Sequence, residues 1–291
     1  MQITPPQTPP HLAAWEVAQA HGITPDRWEV LQDGNTLVLR LTDTLVVRVL
    51  QDLSGPRAGT AWFARETAIA EHLTRARAPV IPLHPELPAG PHERNGHPLN
   101  CWEYVTVIEA AAAPEVLAKN LHLCHEALRS FDEPLSHLAI LHEARAMLRE
   151  RLLFDDGVQI MLKDQLDETM RQLEARPAQP LHGDAHLGNA LHTTRGLLWT
   201  DWEDAFLGPV EWDLASLIWN ARELEDDQHF VSAVLDAFRE AGGLIDEPTL
   251  EVCMTARAAV MTAWYPILYP NPGPDRREKL QRRIEWLRAR A

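Results

Sequence analysis

The chain has 291 residues, is 45% hydrophobic and carries a formal charge of -15 at neutral pH. That apolar share fills one large core or two modest ones, and the charge argues against a nucleic-acid partner, because phosphate backbones are held by clustered Lys and Arg. Cys101, Cys124 and Cys253 are odd in number and widely separated, which is neither a disulfide framework nor a zinc set and points to a reducing compartment.

The start, MQITPPQTPP, has no signal-peptide pattern and reads as a loose Pro-rich tail. No segment reaches the ~18–20 apolar residues of a membrane helix, so a soluble, cytoplasmic protein with no membrane partner is expected. From Trp28, the runs WEVLQ, TLVLRL and TLVVRVL are rich in β-branched and apolar residues. Asp33-Gly34-Asn35 and Thr42-Asp43 separate them, and connections that short predict an antiparallel meander. Trp62, Phe63, Ile69 and Leu73 recur at helical spacing within a predicted helix over 60–75, closed by Pro79 and Pro82. Two more strands are expected in VIPLHPELP and PLNCWEYVTV, linked through Asn95-Gly96. From Glu109 to about Arg176 the pattern is helical and rich in Ala and Leu, stopping at Pro177 and Pro180. A tight hairpin is expected between Ala190 and Asp201, then helices to the end. A β-rich segment over 1–105 followed by a mostly helical one over 106–291, hinged near Glu103–Thr106, gives an α+β fold of two lobes.

Chemistry concentrates in LHGDAHLGNALHTTRGLLWTDWEDAFLGPVEWDLASLIW, residues 181–219, where polar groups are set among apolar ones. Asp184 and Asn189 are five positions apart in a loop with two glycines, the Asp-to-Asn spacing of the protein-kinase catalytic loop. Folding the hairpin about Arg195 sets Asn189 opposite Asp201, with Cβ atoms roughly 4.5–5.5 Å apart. An amide oxygen and a carboxylate so placed can share Mg²⁺, a hard cation that leaves positions for phosphate. Asp184 then stands where it can orient a substrate hydroxyl and take its proton.

HGDAHLGN followed by DWEDAFLGPVEWDLA resembles the Brenner-type catalytic motif of aminoglycoside phosphotransferases and choline kinases, HGDxxxxN then DWExxxxGxxxxDLA. The resemblance implies a protein-kinase-like fold, with a nucleotide-binding N-lobe and a helical C-lobe carrying the catalytic loop and substrate site. It implies Asp184 as catalytic base, Asn189 and Asp201 as Mg²⁺ ligands, and His182 and Asp213 as braces of the loop. A kinase also needs a cation on its third strand, paired to a helix glutamate. No lysine precedes Lys119; Arg48 occupies that place in TLVVRVL, with Glu66 as its expected partner. The pair also reads as an ordinary surface ion pair. A G-x-G-x-x-G loop is absent, leaving Asp33, Gly34 and Asn35 to cover the phosphates, and Glu103 and Val105 are expected to meet the nucleotide at the hinge, with Trp102 or Tyr104 beside the base.

The eleven positions 202–212 between Asp201 and Asp213 leave no room for a peptide-supporting segment, so the acceptor is expected to be a small molecule. Glu203, Asp204 and the run Glu223–Asp227 are candidates to face a cationic substrate, a solvated helix end being the plainer account of the run. His122 and His125 read as packing or surface residues. The expected reaction transfers the γ-phosphoryl group of a nucleoside triphosphate, ATP with GTP left open, to a hydroxyl with Mg²⁺. Two other readings compete: a degenerate kinase that binds without turnover, and a metal-dependent hydrolase built on His182, His186, His192 and Asp184.

Overall fold

The computed structural model describes residues 8–55 and 57–290, so most of the Pro-rich start lies outside the described residues. Its last prolines begin a helix, α1 (Pro9–Ala20), with Pro at the first turn, where a missing N–H costs nothing. The meander follows as β1 (Glu29–Asp33), β2 (Thr36–Arg40) and β3 (Leu45–Leu50), then α2 (Ala61–Arg75), β4 (His92–Arg94) and β5 (His97–Glu103). The sheet order is β1-β2-β3-β5-β4, all neighbours antiparallel.

Alternation along these strands divides the sheet's two faces. Leu37, Leu39, Val47, Val49, Leu99 and Cys101 pack with Ala13, Ala14 and Val17 of α1. Val38, Val46, Trp102 and Val105 pack with Ala70 of α2. Val38, Arg48 and Asn100 are partners across β2, β3 and β5, which puts Arg48 on the α2 face. VIPLHPELP does not form a strand. Pro79, Pro82, Pro85 and Pro88 remove the donors a ladder needs, and only single bridges form, Val80 with Trp199 and Leu83 with Trp102. The expected turn instead joins β4 to β5, with Asn95 and Gly96 both at positive φ, 54° and 79°.

The helical part comprises α3 (Pro114–Leu128), α4 (Ala139–Glu150), α5 (Asp156–Leu173), α6 (Glu211–Glu223), α7 (Gln228–Glu240), α8 (Glu247–Leu268) and α9 (Pro274–Arg288). Asp155, Asp227 and Asp246 cap α5, α7 and α8 through backbone N–H groups of the first turn. Before α6 come β6 (Gln179–Pro180), the hairpin of β7 (Ala190–Thr193) and β8 (Gly196–Trp199), and β9 (Leu207–Gly208), which pairs with β6. No helix among the described residues is long and apolar enough to cross a membrane, and all three cysteines are buried free thiols.

The chain forms two compact units. One runs to Ala111 and takes in Leu191–Glu203; the other holds Ala112–Ala190 and everything from Asp204. Against the single boundary expected at 105/106, the chain passes between units at 111/112, 190/191 and 203/204.

Candidate active site

In the helical unit, β6 leads into the loop His182–Asn189, whose shape is fixed from α6. Asp213, in the first turn of α6, accepts from the backbone N–H of His182 and of Gly183, both at 2.9 Å, and from His125 Nε2 of α3 at 2.8 Å. The neighbouring Trp212 indole donates to Gly183 O at 2.7 Å. Gly183 sits at φ +85°, and a Cβ there would lie 2.0 Å from Asp204 O, so no side chain fits. His182 is fully buried, and its Nδ1 accepts from Asp184 N at 3.3 Å.

These contacts fix Asp184, whose side chain is 23% exposed. Arg257 Nη2 of α8 bonds its Oδ1. On the other oxygen stands His186 Nε2 at 3.4 Å; because His186 Nδ1 accepts from Gly188 N, the proton of the neutral ring is on Nε2. Asn189 Nδ2 donates to Asp184 O at 3.0 Å, so its amide oxygen is the atom left for other use. Burial opposes the Asp184 charge, but Arg257 and His186 outweigh it and hold the carboxyl well below the usual carboxylate range.

In the N-terminal unit, Arg48 is the hub. Its Nη1 meets Glu66 Oε1 at 2.8 Å, and its Nη2 meets Asp201 Oδ1 at 3.1 Å and Glu203 Oε2 at 2.8 Å. Thr36 Oγ1 accepts from Nε at 3.2 Å. Glu66 also accepts from Asn100 Nδ2 at 2.9 Å, and Glu203 from Arg57 Nη1 at 2.9 Å. The Arg48 side chain is 12% exposed and that of Glu66 1%, so this is a buried network and not a surface pair. Burial opposes the Arg48 charge, yet Asp201, Glu66 and Glu203 keep its pKa well above the ordinary value. Burial raises Glu66 despite Arg48.

Asn189 ends a 3₁₀ turn (Leu187–Asn189), and Asp201 follows β8 at φ +66°, so both lie outside the strands from which their pairing was expected. Asp33 and Gly34 are pinned to Gln51 Nε2 at 2.8 and 2.7 Å, and Asn35 O accepts from Gln51 N at 3.2 Å. Glu103 pairs with Arg195 at 3.2 Å, while the Val105 and Trp102 side chains are in the core. Tyr104 lies under the Arg40 guanidinium, 3.7 Å from its ring centroid. His122 packs edge-on against Phe238, whereas His125 is part of the loop brace and not mere packing.

The histidine set of the hydrolase reading is not gathered. His192 belongs to the N-terminal unit, bonded to Ala110 O at 2.9 Å, and no three His, Cys, Asp or Glu side chains converge as ligands among the described residues. The acidic run is a helix end: Glu223 accepts from Trp286 Nε1, and Asp227 caps α7. Glu203 is committed to Arg48 and Arg57. Sequence reasoning passed over Arg257, although one arginine in the Ala-rich run VCMTARAAVMTAW was a visible signal.

The family model described as phosphotransferase enzyme family matches residues 17–251, most of the chain. The chain belongs to that family. Solved structures similar to this phosphotransferase share its protein-kinase-like fold at low identity. An amicoumacin kinase, hAmiN, in complex with AMP-PNP, Ca²⁺ and its ligand Ami is 15% identical, with TM-score 0.72, over 92% of this chain and 90% of that one. The choline kinase LicA from Streptococcus pneumoniae is 12% identical, with TM-score 0.69, over 96% and 99%. A GDP and kanamycin complex of APH(2")-IIia is 15% identical, with TM-score 0.66, over 96% and 99%. No curated protein sequence matches the phosphotransferase.

Proposed function

We propose that this phosphotransferase moves the γ-phosphoryl group of a nucleoside triphosphate, ATP as the default, to a hydroxyl of a small molecule. The observation that carries the reading is Asp184: a carboxylate on a loop locked by Asp213, ionised by Arg257, with Asn189 bonded beside it. Such a group aligns an acceptor hydroxyl and receives its proton as the bond to phosphorus forms. Its low pKa makes it a weak base, which suits a loose transition state where positioning and charge neutralisation dominate.

Arg48 is assigned to the triphosphate, in place of the usual lysine, with Glu66 as its brace. Asn189 and Asp201 offer hard oxygen donors, and Asn189 spends its amide nitrogen on Asp184 O, so the set suits Mg²⁺. When bound, Mg²⁺ neutralises charge on the phosphates. Nucleotides in the AMP-PNP and GDP complexes of similar structures support the nucleotide assignment; the choline kinase and the kanamycin complex support a small acceptor.

The test is nucleoside diphosphate release from Mg-ATP across a panel of small hydroxyl compounds, with Asp184→Asn alongside. Turnover lost in the variant supports the reading. Equal rates in wild type and variant would sink it and favour a binding protein.

A further inference from the structure

Among the described residues, the helical unit buries a second cation for which it supplies no anion. Trp212 and Trp219 lie seven residues apart on α6, two turns along one face. Arg257 of α8 stands over the first ring, its Cζ 6.0 Å from the centroid, and Arg283 of α9 over the second at 4.9 Å. Arg257 is committed to Asp184. Arg283 is only 6% exposed, and its Nε and Nη1, like the Trp219 indole nitrogen, are buried without an acceptor. Burial and the like charge of Arg257 lower the Arg283 pKa to about 10, the direction expected of a cation lacking a counter-charge.

Buried N–H groups are nearly always paired. Here all three orphans are donors and one side chain is a full cation; a neutral oxygen could accept from a donor but would leave the buried charge uncompensated, which an anion answers together with the donors. A guanidinium fork matches the planar oxygens of a carboxylate or a phosphate. Neither arginine belongs to the N-terminal unit that holds Arg48, the group assigned to the nucleotide, so the missing anion is ascribed to the other substrate.

We propose that the acceptor is a hydroxyl compound bearing a carboxylate or phosphate, whose anionic group is held by Arg283 and the Trp219 indole N–H on the helix face that leads to Asp184. This deepens, and rests on, the phosphotransferase reading of Asp184. In the transfer, the acceptor O–H bond breaks and its oxygen bonds to the γ-phosphorus. The bond from that phosphorus to the bridging oxygen breaks, nucleoside diphosphate leaves, and the proton passes by way of Asp184 to solvent.

Four matched compounds test it: 3-amino-1,2-propanediol, glycerol, glycerate and glycerol 3-phosphate. Each is titrated into the full chain by calorimetry without nucleotide, then offered with Mg-ATP. Expected is a preference for one of the two anions over glycerol of about 10- to 100-fold, the range of a charge-assisted hydrogen-bonded pair; the better anion tells carboxylate from phosphate. Arg283→Gln abolishes the preference and raises the acceptor KM by the same factor, with the KM for Mg-ATP moving less than about twofold. Arg283→Lys restores part, and Trp219→Phe weakens the anion selectively.

Arg283→Gln is also expected to unfold no sooner than wild type, since the charge it removes has no partner; a purely structural arginine would lower the midpoint and leave selectivity alone. Equal affinity for all four compounds, or a preference for the amine, overturns the proposal while turnover keeps the phosphotransferase reading. Selective anion binding without diphosphate release from any of them sinks that reading and leaves the anion site standing.

Discussion

Arg48 in the N-terminal unit is met by three carboxylates, Glu66, Asp201 and Glu203, whereas in the helical unit one carboxylate, Asp184, is met by Arg257 and His186 while Arg283 has no acidic partner. The first cluster is short of positive charge and suits an added cation. The second is short of negative charge and suits an added anion. The contrast shows how little the total of -15 says about a site. Surplus acid is carried by exposed positions such as Glu225 and Asp226, where water solvates it, while the helical interior buries Arg257 and Arg283 alongside Glu211 and Asp213.

The largest expected effect falls on Asp184. Asp184→Asn should lower kcat by ~10²–10⁴, and because it leaves the buried Arg257 without its counter-charge it should also lower the unfolding midpoint; a rate within about threefold of wild type breaks the comparison at its catalytic end. Next is Arg48→Met, which strands three carboxylates beside one another and should cost about 3–5 kcal/mol in urea unfolding. Adding Glu66→Leu should recover part of that loss, and an unmoved midpoint for Arg48→Met would show the network to be inert. Gly183→Ala should cost about 1–3 kcal/mol through its left-handed backbone alone, with the approach to Asp204 O adding to it.

A smaller effect is a titration. The folded pKa of Asp184 is depressed, so its contribution to stability is complete above the unfolded value of about 3.9 and is lost as pH falls below it. Arg257→Gln removes the counter-charge, raises the Asp184 pKa, and should move the acid limb of kcat to higher pH. An unshifted limb would mean that Arg257 does not set the ionisation. Smallest is Glu225→Gln, in the exposed acidic run, expected to stay within about 0.5 kcal/mol and to leave acceptor KM unmoved; a raised KM for a cationic acceptor would restore that run as a binding surface.

Much of this was legible in the sequence, for identifiable reasons. The meander, the helix over 61–75 and the Asn95-Gly96 turn rest on local pattern, and all three formed where local forces decide. VIPLHPELP misled because its apolar residues suggest a strand while its prolines deny one. α1 was concealed by reading Pro9 and Pro10 as tail, although proline opens helices as readily as it ends them. At the site, the pairing of Arg48 with Glu66 and the hold of Asp213 on the loop were expected from the motif, and both contacts form. Arg257, Arg283 and the brace from His125 were not, because each reaches its place through packing of helices distant in the chain, and no local period encodes that.

The loan of Leu191–Glu203 to the N-terminal unit bears on how the protein is made. Leu191 and Leu198 pack on Val46, Ala70 and Trp102, and Asp201 and Glu203 flank Arg48. A nascent chain that has emerged only as far as Ala111 therefore has its sheet without that apolar cover and its arginine without two of its three counter-charges. Completion waits for residue 203, after all of α3 to α5 has been synthesised, a long-range closure of the kind that slows folding and prolongs exposure of apolar surface. Cut at Ala111, the first segment should express as an aggregation-prone fragment, and joining 191–203 to it through a flexible linker should rescue its solubility.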